Sequence, residues 1–251
     1  MAAKIRADVA LVDRGLVESR AKAQALIMAG VVFSGESKIT KAGQQVKDED
    51  PLDVRGKDHD WVSRGGLKLE KGLAHFGVIP TGYTAIDVGA STGGFTDVLL
   101  TNGAAHVYAV DVGRGQLAWK LRGDERVTVL EKTNARYLTE AEIPVPVDMV
   151  VCDASFISLK TVLPAALGFV KPGGCLIALI KPQFEVGKDN VGKGGVVRDP
   201  ALHKAVCGDI GDWLNSLDGW QAVGITESPI KGPEGNIEFL IYGTKTGGIS
   251  G

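Results

Sequence analysis

The stretch Thr84-Ala85-Ile86-Asp87-Val88-Gly89-Ala90-Ser91-Thr92-Gly93-Gly94-Phe95-Thr96-Asp97 constrains the fold more than any other. β-Type residues run to Asp87, a glycine-rich turn follows, and the apolar segment from Phe95 to Leu100 opens a helix. Strand, tight turn and helix in that order begin a nucleotide-type α/β domain. Glycine serves there because the backbone turns sharply and lets a ligand approach with no Cβ in the way. The alternation continues downstream. Strands are expected at 84–88, 106–110, 127–130, 149–152 and 174–180, and helices near 95–102, 115–121, 159–169 and 201–216. That order predicts an α/β, Rossmann-like, doubly wound parallel sheet. Two last strands, 220–225 and 237–242, are close in sequence and expected to be antiparallel.

The chemistry of the turn narrows its ligand. A phosphate-cradling loop reads G-x-G-x-x-G, or a glycine run closed by Lys and Ser/Thr. Here Gly89, Gly93 and Gly94, with Ser91 between them, follow the acidic Asp87, and no basic residue is near. An acidic, glycine-lined pocket suits a cationic, phosphate-free cofactor, which points to S-adenosylmethionine (SAM). Asp111 ends the second strand about twenty residues on, placed to accept hydrogen bonds from ribose hydroxyls. Asn134, just after the third strand, is placed for an adenine edge. Phe95 opens the helix beside the turn.

At 251 residues and 44% hydrophobic, the chain has enough apolar material for one ordinary domain and a small one. A net charge of −2 gives no global signal of a nucleic-acid binder. The average hides a basic start. Residues 1–47 carry Lys4, Arg6, Arg14, Arg20, Lys22, Lys38, Lys41 and Lys47 against Asp8, Asp13, Glu18 and Glu36. An acid-rich edge follows, with Asp48, Glu49, Asp50, Asp53, Asp58 and Asp60. A helix is expected over 6–17, with Gly15 near its end. A second, Arg20–Ala29, is capped by Ser19 and stopped by Gly30, and short strands follow to Val54. This predicts a small α+β domain over 1–58, a linker over 59–66 that begins as early as Gly56, and the α/β domain over 67–251. A helix over 67–76 docks on the latter, weakened by Gly72. Three cysteines and four histidines show no metal spacing, and no secretory signal or membrane-spanning run is visible, so a reduced, metal-free cytoplasmic protein is expected.

Asp153 directly follows the fourth strand and Lys181 the fifth, and ligands of open α/β sheets bind beyond the carboxyl ends of the strands. Lys181 is either a solvated strand end or a site lysine, and Pro182 stiffens the chain where it emerges. Alternation leaves Glu238, between Ile237 and Phe239, as either an exposed edge charge or a site acid. Gly187 to Gly194 has the spacing of an ATP-binding loop, but it ends in Gly194 where Ser/Thr must hold Mg²⁺ and follows the wrong strand. With Lys188, Lys193 and Arg198 among four glycines, Val186–Arg198 is expected to be a mobile lid or RNA-phosphate loop.

These features resemble the TlyA family of ribosomal RNA 2′-O-methyltransferases, often catalogued as haemolysin A. The likeness rests on Trp61-Val62-Ser63-Arg64-Gly65-Gly66-Leu67-Lys68-Leu69, the Asp87–Phe95 turn and Gly235-Asn236-Ile237-Glu238-Phe239. Ser19-Arg20-Ala21-Lys22-Ala23 and Gly30-Val31-Val32 are similar to a ribosomal S-four-type RNA-binding domain, with Ser34-Gly35 where Asn-Gly is usual. The resemblance implies an FtsJ-like catalytic domain using SAM and a catalytic tetrad of Lys68, Asp153, Lys181 and Glu238, with Lys71 a nearby alternative for the first lysine. Asp87, Gly89, Ser91, Gly93, Phe95, Asp111, Asn134 and Asp153 would hold the cofactor. A ribose hydroxyl is a poor nucleophile and needs a base, the role expected of Lys181. Arg6, Arg20, Lys22, Arg64, Lys188 and Lys193 would meet ribosomal RNA. The partners implied are ribosomal RNA or ribosomal subunits, with cytidine as target and no membrane. A membrane-active haemolysin and a catalytically silent assembly factor are the rival readings, and a monomer is expected.

Overall fold

The computed structural model describes residues 4–14, 16–17, 19–35, 37–47, 50–54, 59–187 and 190–247. Gly15, Glu18, Glu36, Asp48, Glu49, Gly56, Asp58 and Lys188 lie outside the described residues. The chain divides into two compact units, Met1–Asp60 and Trp61–Gly251.

The first unit opens with β1 (Lys4–Arg6) and α1 (Ala7–Asp13). The helix starts one residue later than the periodicity suggests because Arg6 still pairs with Gln45 in the β1 ladder. α2 (Arg20–Met28) is capped by the Ser19 hydroxyl, which accepts from the Lys22 amide. The strands β2 (Val32–Ser34), β3 (Ser37–Lys38), β4 (Gln45–Lys47) and β5 (Leu52–Val54) complete it. β2 is central in a three-stranded sheet, β3-β2-β5, and β4 pairs with β1. Ala7, Ala10, Leu11, Ala23, Ile27, Val32, Ile39 and Val46 form its small core.

The second unit starts at Trp61, and its first helix, α3 (Gly65–Phe76), begins two residues ahead of the expected Leu67. Residues 61–66 therefore belong to this unit rather than to a linker. The Val62 amide donates to Asp97 Oδ2 at 2.9 Å, which fixes the strap to the helix of the glycine turn. Then follow β6 (Thr84–Val88), α4 (Gly94–Thr101), β7 (His106–Val110), α5 (Trp119–Arg122), β8 (Val127–Leu130) and β9 (Val147–Cys152). α6 (Leu159–Val162), α7 (Pro164–Gly168), β10 (Val170–Ile180), α8 (Pro182–Glu185), α9 (Pro200–Asn215), β11 (Trp220–Glu227) and β12 (Phe239–Lys245) complete the chain.

Other elements of this unit also depart from expectation. The helix at 159–169 is two short ones, since Pro164 lacks an amide donor and restricts Leu163. The helix expected at 115–121 is a single turn at 119–122, preceded by an open loop. β12 begins at Phe239, so Glu238 lies just ahead of it.

The sheet order is β11-β12-β10-β9-β6-β7-β8, parallel from β10 to β8, with β12 and β11 antiparallel at the edge. Alternate residues of each strand feed opposite cores. Ile86, Val110, Val150 and Leu176 meet α6, α7 and α9 on one face, and Ala85, Ala109, Val151 and Ile177 meet α3 and α4 on the other. The chain runs outward from β6 through β7 and β8, then returns to place β9 on the other side of β6. The crevice beyond β6 and β9 is the switch point where such sheets bind ligands.

Candidate active site

A cavity of about 450 Å³ opens at this switch point. Two loops form its floor. After β6 the chain turns at Gly89, φ +81°, where a Cβ would meet the Ala154 backbone at 2.9 Å, so only glycine lets the β6 and β9 loops touch. Ser91 follows at φ +50°, a left-handed conformation, and its amide donates to Asp111 Oδ2 at 2.8 Å. Asp111 Oδ1 accepts from the Gly113 amide at 2.6 Å. Asp111 thus pins the glycine turn to the next loop, a role that spacing alone did not reveal.

Asp87 is fully buried in the cavity wall. The Thr96 hydroxyl donates to its Oδ2 at 2.7 Å, and its Oδ1 has no protein partner. Burial pushes its carboxyl up to about 7; the Thr96 hydrogen bond opposes this and the Asp153 charge adds to it. An orphaned buried carboxylate oxygen, here on a residue that lines the cavity, is costly unless a donor reaches it.

Four side chains from four separate segments meet above this floor. Lys68 Nζ on α3 lies 2.7 Å from Glu238 Oε2 and 3.6 Å from Asp153 Oδ2. Lys181 Nζ, after β10, lies 2.6 Å from Asp153 Oδ1. It also donates to the Asp153 carbonyl at 3.0 Å and to Ser155 Oγ at 2.8 Å. Two cations and two carboxylates alternate in a chain, so the cluster is neutral, and Lys68, Lys181 and Glu238 are buried. Such an array is tolerated inside because every charge has a partner. Glu238 is no exposed edge charge: it is completely covered, and its second oxygen, Oε1, lies against Gly232 without a hydrogen bond.

The cavity also takes in Arg64, Ser91 and Phe95, together with Ser63, Ser155 and Gly232, which the sequence did not single out. Gly93 turns away, packed under Leu117 and Leu121. Asn134 caps the short turn at 135–137, accepting from the Arg136 amide, and is not in the cavity wall. In the loop after α8, Lys193 is exposed, but the described part is latched rather than loose. Asn236 Oδ1 accepts from the Val197 amide and its Nδ2 donates to the Gly195 carbonyl. Phe156, at the end of the Asp153 loop, is 88% exposed with φ +64°, and its ring centroid lies 5.0 Å from that of Phe184. A bulky residue held left-handed and bare to solvent is a strained arrangement of the kind found at functional sites. Arg6 and Arg20 lie in the first unit, joined through Asp8. Lys22, on the exposed start of α2, is there too. Among the described residues no three His, Cys, Asp or Glu side chains cluster to hold a metal, and no helix is long and apolar enough to cross a membrane.

Comparison with known proteins meets the geometry at this point. Residues 61–245 match the FtsJ-like methyltransferase family and residues 5–52 match the S4 domain. The chain is 49% identical over 243 residues to the 16S/23S rRNA (cytidine-2′-O)-methyltransferase TlyA of Mycobacterium tuberculosis, covering 96% of this chain and 90% of that protein. It is 40% identical over 242 residues to Hemolysin A of Brachyspira hyodysenteriae, covering 95% and 99%. A solved structure from Streptococcus thermophilus, provisionally named a hemolysin, superposes with a TM-score of 0.75 at 42% identity, covering 99% of this chain and 90% of that one.

Proposed function

The chain belongs to the FtsJ-like methyltransferase family, and we propose that it transfers a methyl group from SAM to the ribose 2′-hydroxyl of a cytidine in ribosomal RNA. The observation that carries this reading is the Glu238–Lys68–Asp153–Lys181 chain, whose Lys68, Asp153 and Lys181 line the same cavity as the glycine turn. When bound, SAM supplies an electrophilic methyl group on a sulfonium centre. The residues present fit it: an unpartnered Asp87 oxygen for its cationic amino-acid end, and the turn at Gly89 and Ser91 beside Phe95.

Lys181 Nζ, once it has released its own proton to solvent, takes the proton of the ribose hydroxyl. The Asp153 carboxylate then holds the resulting ammonium as an ion pair, and the Asp153 carbonyl and the Ser155 hydroxyl each accept a hydrogen bond from it. Lys68 bridges Asp153 to Glu238 and so orients the Asp153 carboxylate that faces Lys181. Exposed Phe156, next in the chain to the cavity residue Ser155, offers a face for an unstacked base. The basic surface of the first unit supplies phosphate contacts that position the RNA without reading its sequence. The reaction takes place in the cytoplasm, where ribosomes are.

Lys181→Ala tests the assignment. Transfer of labelled methyl from SAM to ribosomal subunits falls by about 100-fold or more, the usual contribution of a positioned base. SAM affinity stays within about twofold, because Lys181 serves the hydroxyl rather than the cofactor. Near-wild-type turnover in that variant ends the assignment, and label at a base nitrogen or carbon ends the ribose reading.

A further inference from the structure

We propose that Asp8 is a positioning residue for RNA: it ties Arg6 and Arg20 into one fork whose outward N–H groups receive a single backbone phosphodiester. The inference rests on the RNA-binding part of the function proposed above.

Asp8 lies in the first turn of α1 and is completely covered. Its Oδ1 accepts from Arg6 Nε at 2.9 Å. Its Oδ2 accepts from Arg6 Nη2 at 3.0 Å, Arg20 Nη2 at 3.1 Å and Gln24 Nε2 at 3.0 Å. One carboxylate therefore grips the edge of one guanidinium in bidentate fashion and the tip of another. The arginines come from different elements, β1 and the first turn of α2, and their side chains stay 46% and 57% exposed. The buried anion thus holds two cations that are themselves about half exposed.

A guanidinium carries five N–H donors in a rigid plane. Arg6 spends two on Asp8 and Arg20 one, so most donors of both remain for a ligand. Two nitrogens that donate to one oxygen atom are neighbours, and their guanidiniums can both reach one tetrahedral phosphate. The start of α2 adds to this, since its first turn holds no acidic residue to compete with an anion. An arginine free in solvent loses rotamer freedom when it binds, whereas one already pinned by Asp8 has lost it beforehand. The carboxylate subtracts one charge from the surface and returns a fixed geometry.

Opposite signs separate this role from the alternatives. Removing a negative charge from a surface that attracts RNA only by net charge tightens binding and steepens its salt dependence. Removing the anchor of a positioned fork loosens it. The full chain is assayed by filter binding to purified ribosomal RNA across a salt series, with thermal unfolding alongside. Asp8→Asn is expected to bind at least fivefold more weakly, with the slope of log affinity against log salt flatter by about 0.7–0.9, one phosphate contact. Arg6→Lys keeps the charge but cannot chelate Asp8, and it is expected to lose about as much; it carries the test if Asp8→Asn unfolds. Unchanged or tighter binding by Arg6→Lys, or by a folded Asp8→Asn, overturns the proposal. If the unaltered chain shows no salt-dependent binding, the RNA reading itself has failed and Asp8 has nothing to position.

Discussion

Lowering the pH from 8 to 6 probes whether Asp87 receives the cationic end of the cofactor. Burial, with the Asp153 charge behind it, pushes the Asp87 carboxyl up to about 7, so the ligand-free protein takes up a proton there as the solution turns mildly acidic. A cation at Asp87 Oδ1 favours the ionised form, and binding must then expel that proton. Affinity is therefore complete above about pH 7 and declines below it. If the bound carboxyl returns towards its ordinary value of about 4, the decline approaches tenfold per pH unit. Between pH 8 and pH 6 the loss is roughly tenfold, about 1.4 kcal/mol. The α-amino group of SAM titrates near 8 but gains charge on acidification, which works in the opposite direction. Asp87→Asn separates the two effects, because only the cofactor's own titration remains. Calorimetry at pH 6, 7 and 8, in two buffers of different ionisation heat, gives affinity and counts the protons released. A flat profile for the native chain, or the same decline in Asp87→Asn, refutes the reasoning. For the ligand-free fold the same shift has a fixed sign. The folded protein holds this proton more tightly than the unfolded chain, so its contribution to stability is full below about pH 4 and is lost as pH rises through about 7.

Phe156→Gly removes a side chain held at φ +64° and installs the residue that prefers that conformation. Thermal stability is expected to hold or rise while RNA methylation falls about tenfold, the value of one stacked base; undiminished methylation removes Phe156 from the substrate site. Gly232→Ala places a Cβ 2.1 Å from Glu238 Oε1 and displaces that carboxylate from Lys68. It is expected to cost about 1–3 kcal/mol of stability and to lower turnover at saturating SAM, and full turnover would show that Glu238 needs no fixed position.

Asp153 and Lys181 were legible because parallel strands end at one edge of the sheet, and each residue directly follows a strand whose apolar run is unmistakable. Lys68 was legible only through family resemblance, since nothing in its own helix tells which strand α3 covers. Glu238 was ambiguous for a physical reason. An extended residue just before a strand follows the same alternation as one inside it, and pattern alone does not distinguish burial against Lys68 from exposure on an edge. Asp111 was placed correctly at its strand end. Its hydrogen bonds were invisible because its partners are the amides of Ser91 and Gly113, and backbone groups leave no trace in residue identity. The expected lid shows the same limit. Four glycines suggest freedom, but a single buried Asn236 takes up the amide of Val197 and the carbonyl of Gly195.

The glycines of α3 carry the remaining lesson. Inside a helix they count as weaknesses, each costing about 1 kcal/mol against alanine, and Gly72 lowered the expectation of a helix there. In the fold they are contact surfaces. A Cβ on Gly72 would come within 3.2 Å of Ile177 in β10, and one on Gly66 would meet the Trp61 ring at 2.4 Å. α3 can therefore approach the sheet closely on one side and take the Trp61 strap on another. Lys68 lies between these two positions, and that close approach brings its ammonium to Asp153 and Glu238. Helix propensity has been given up where proximity to the sheet sets the position of a charge in the buried cluster. A bulkier residue at either glycine would lift α3 and draw Lys68 out of the cluster, although neither glycine touches the chemistry.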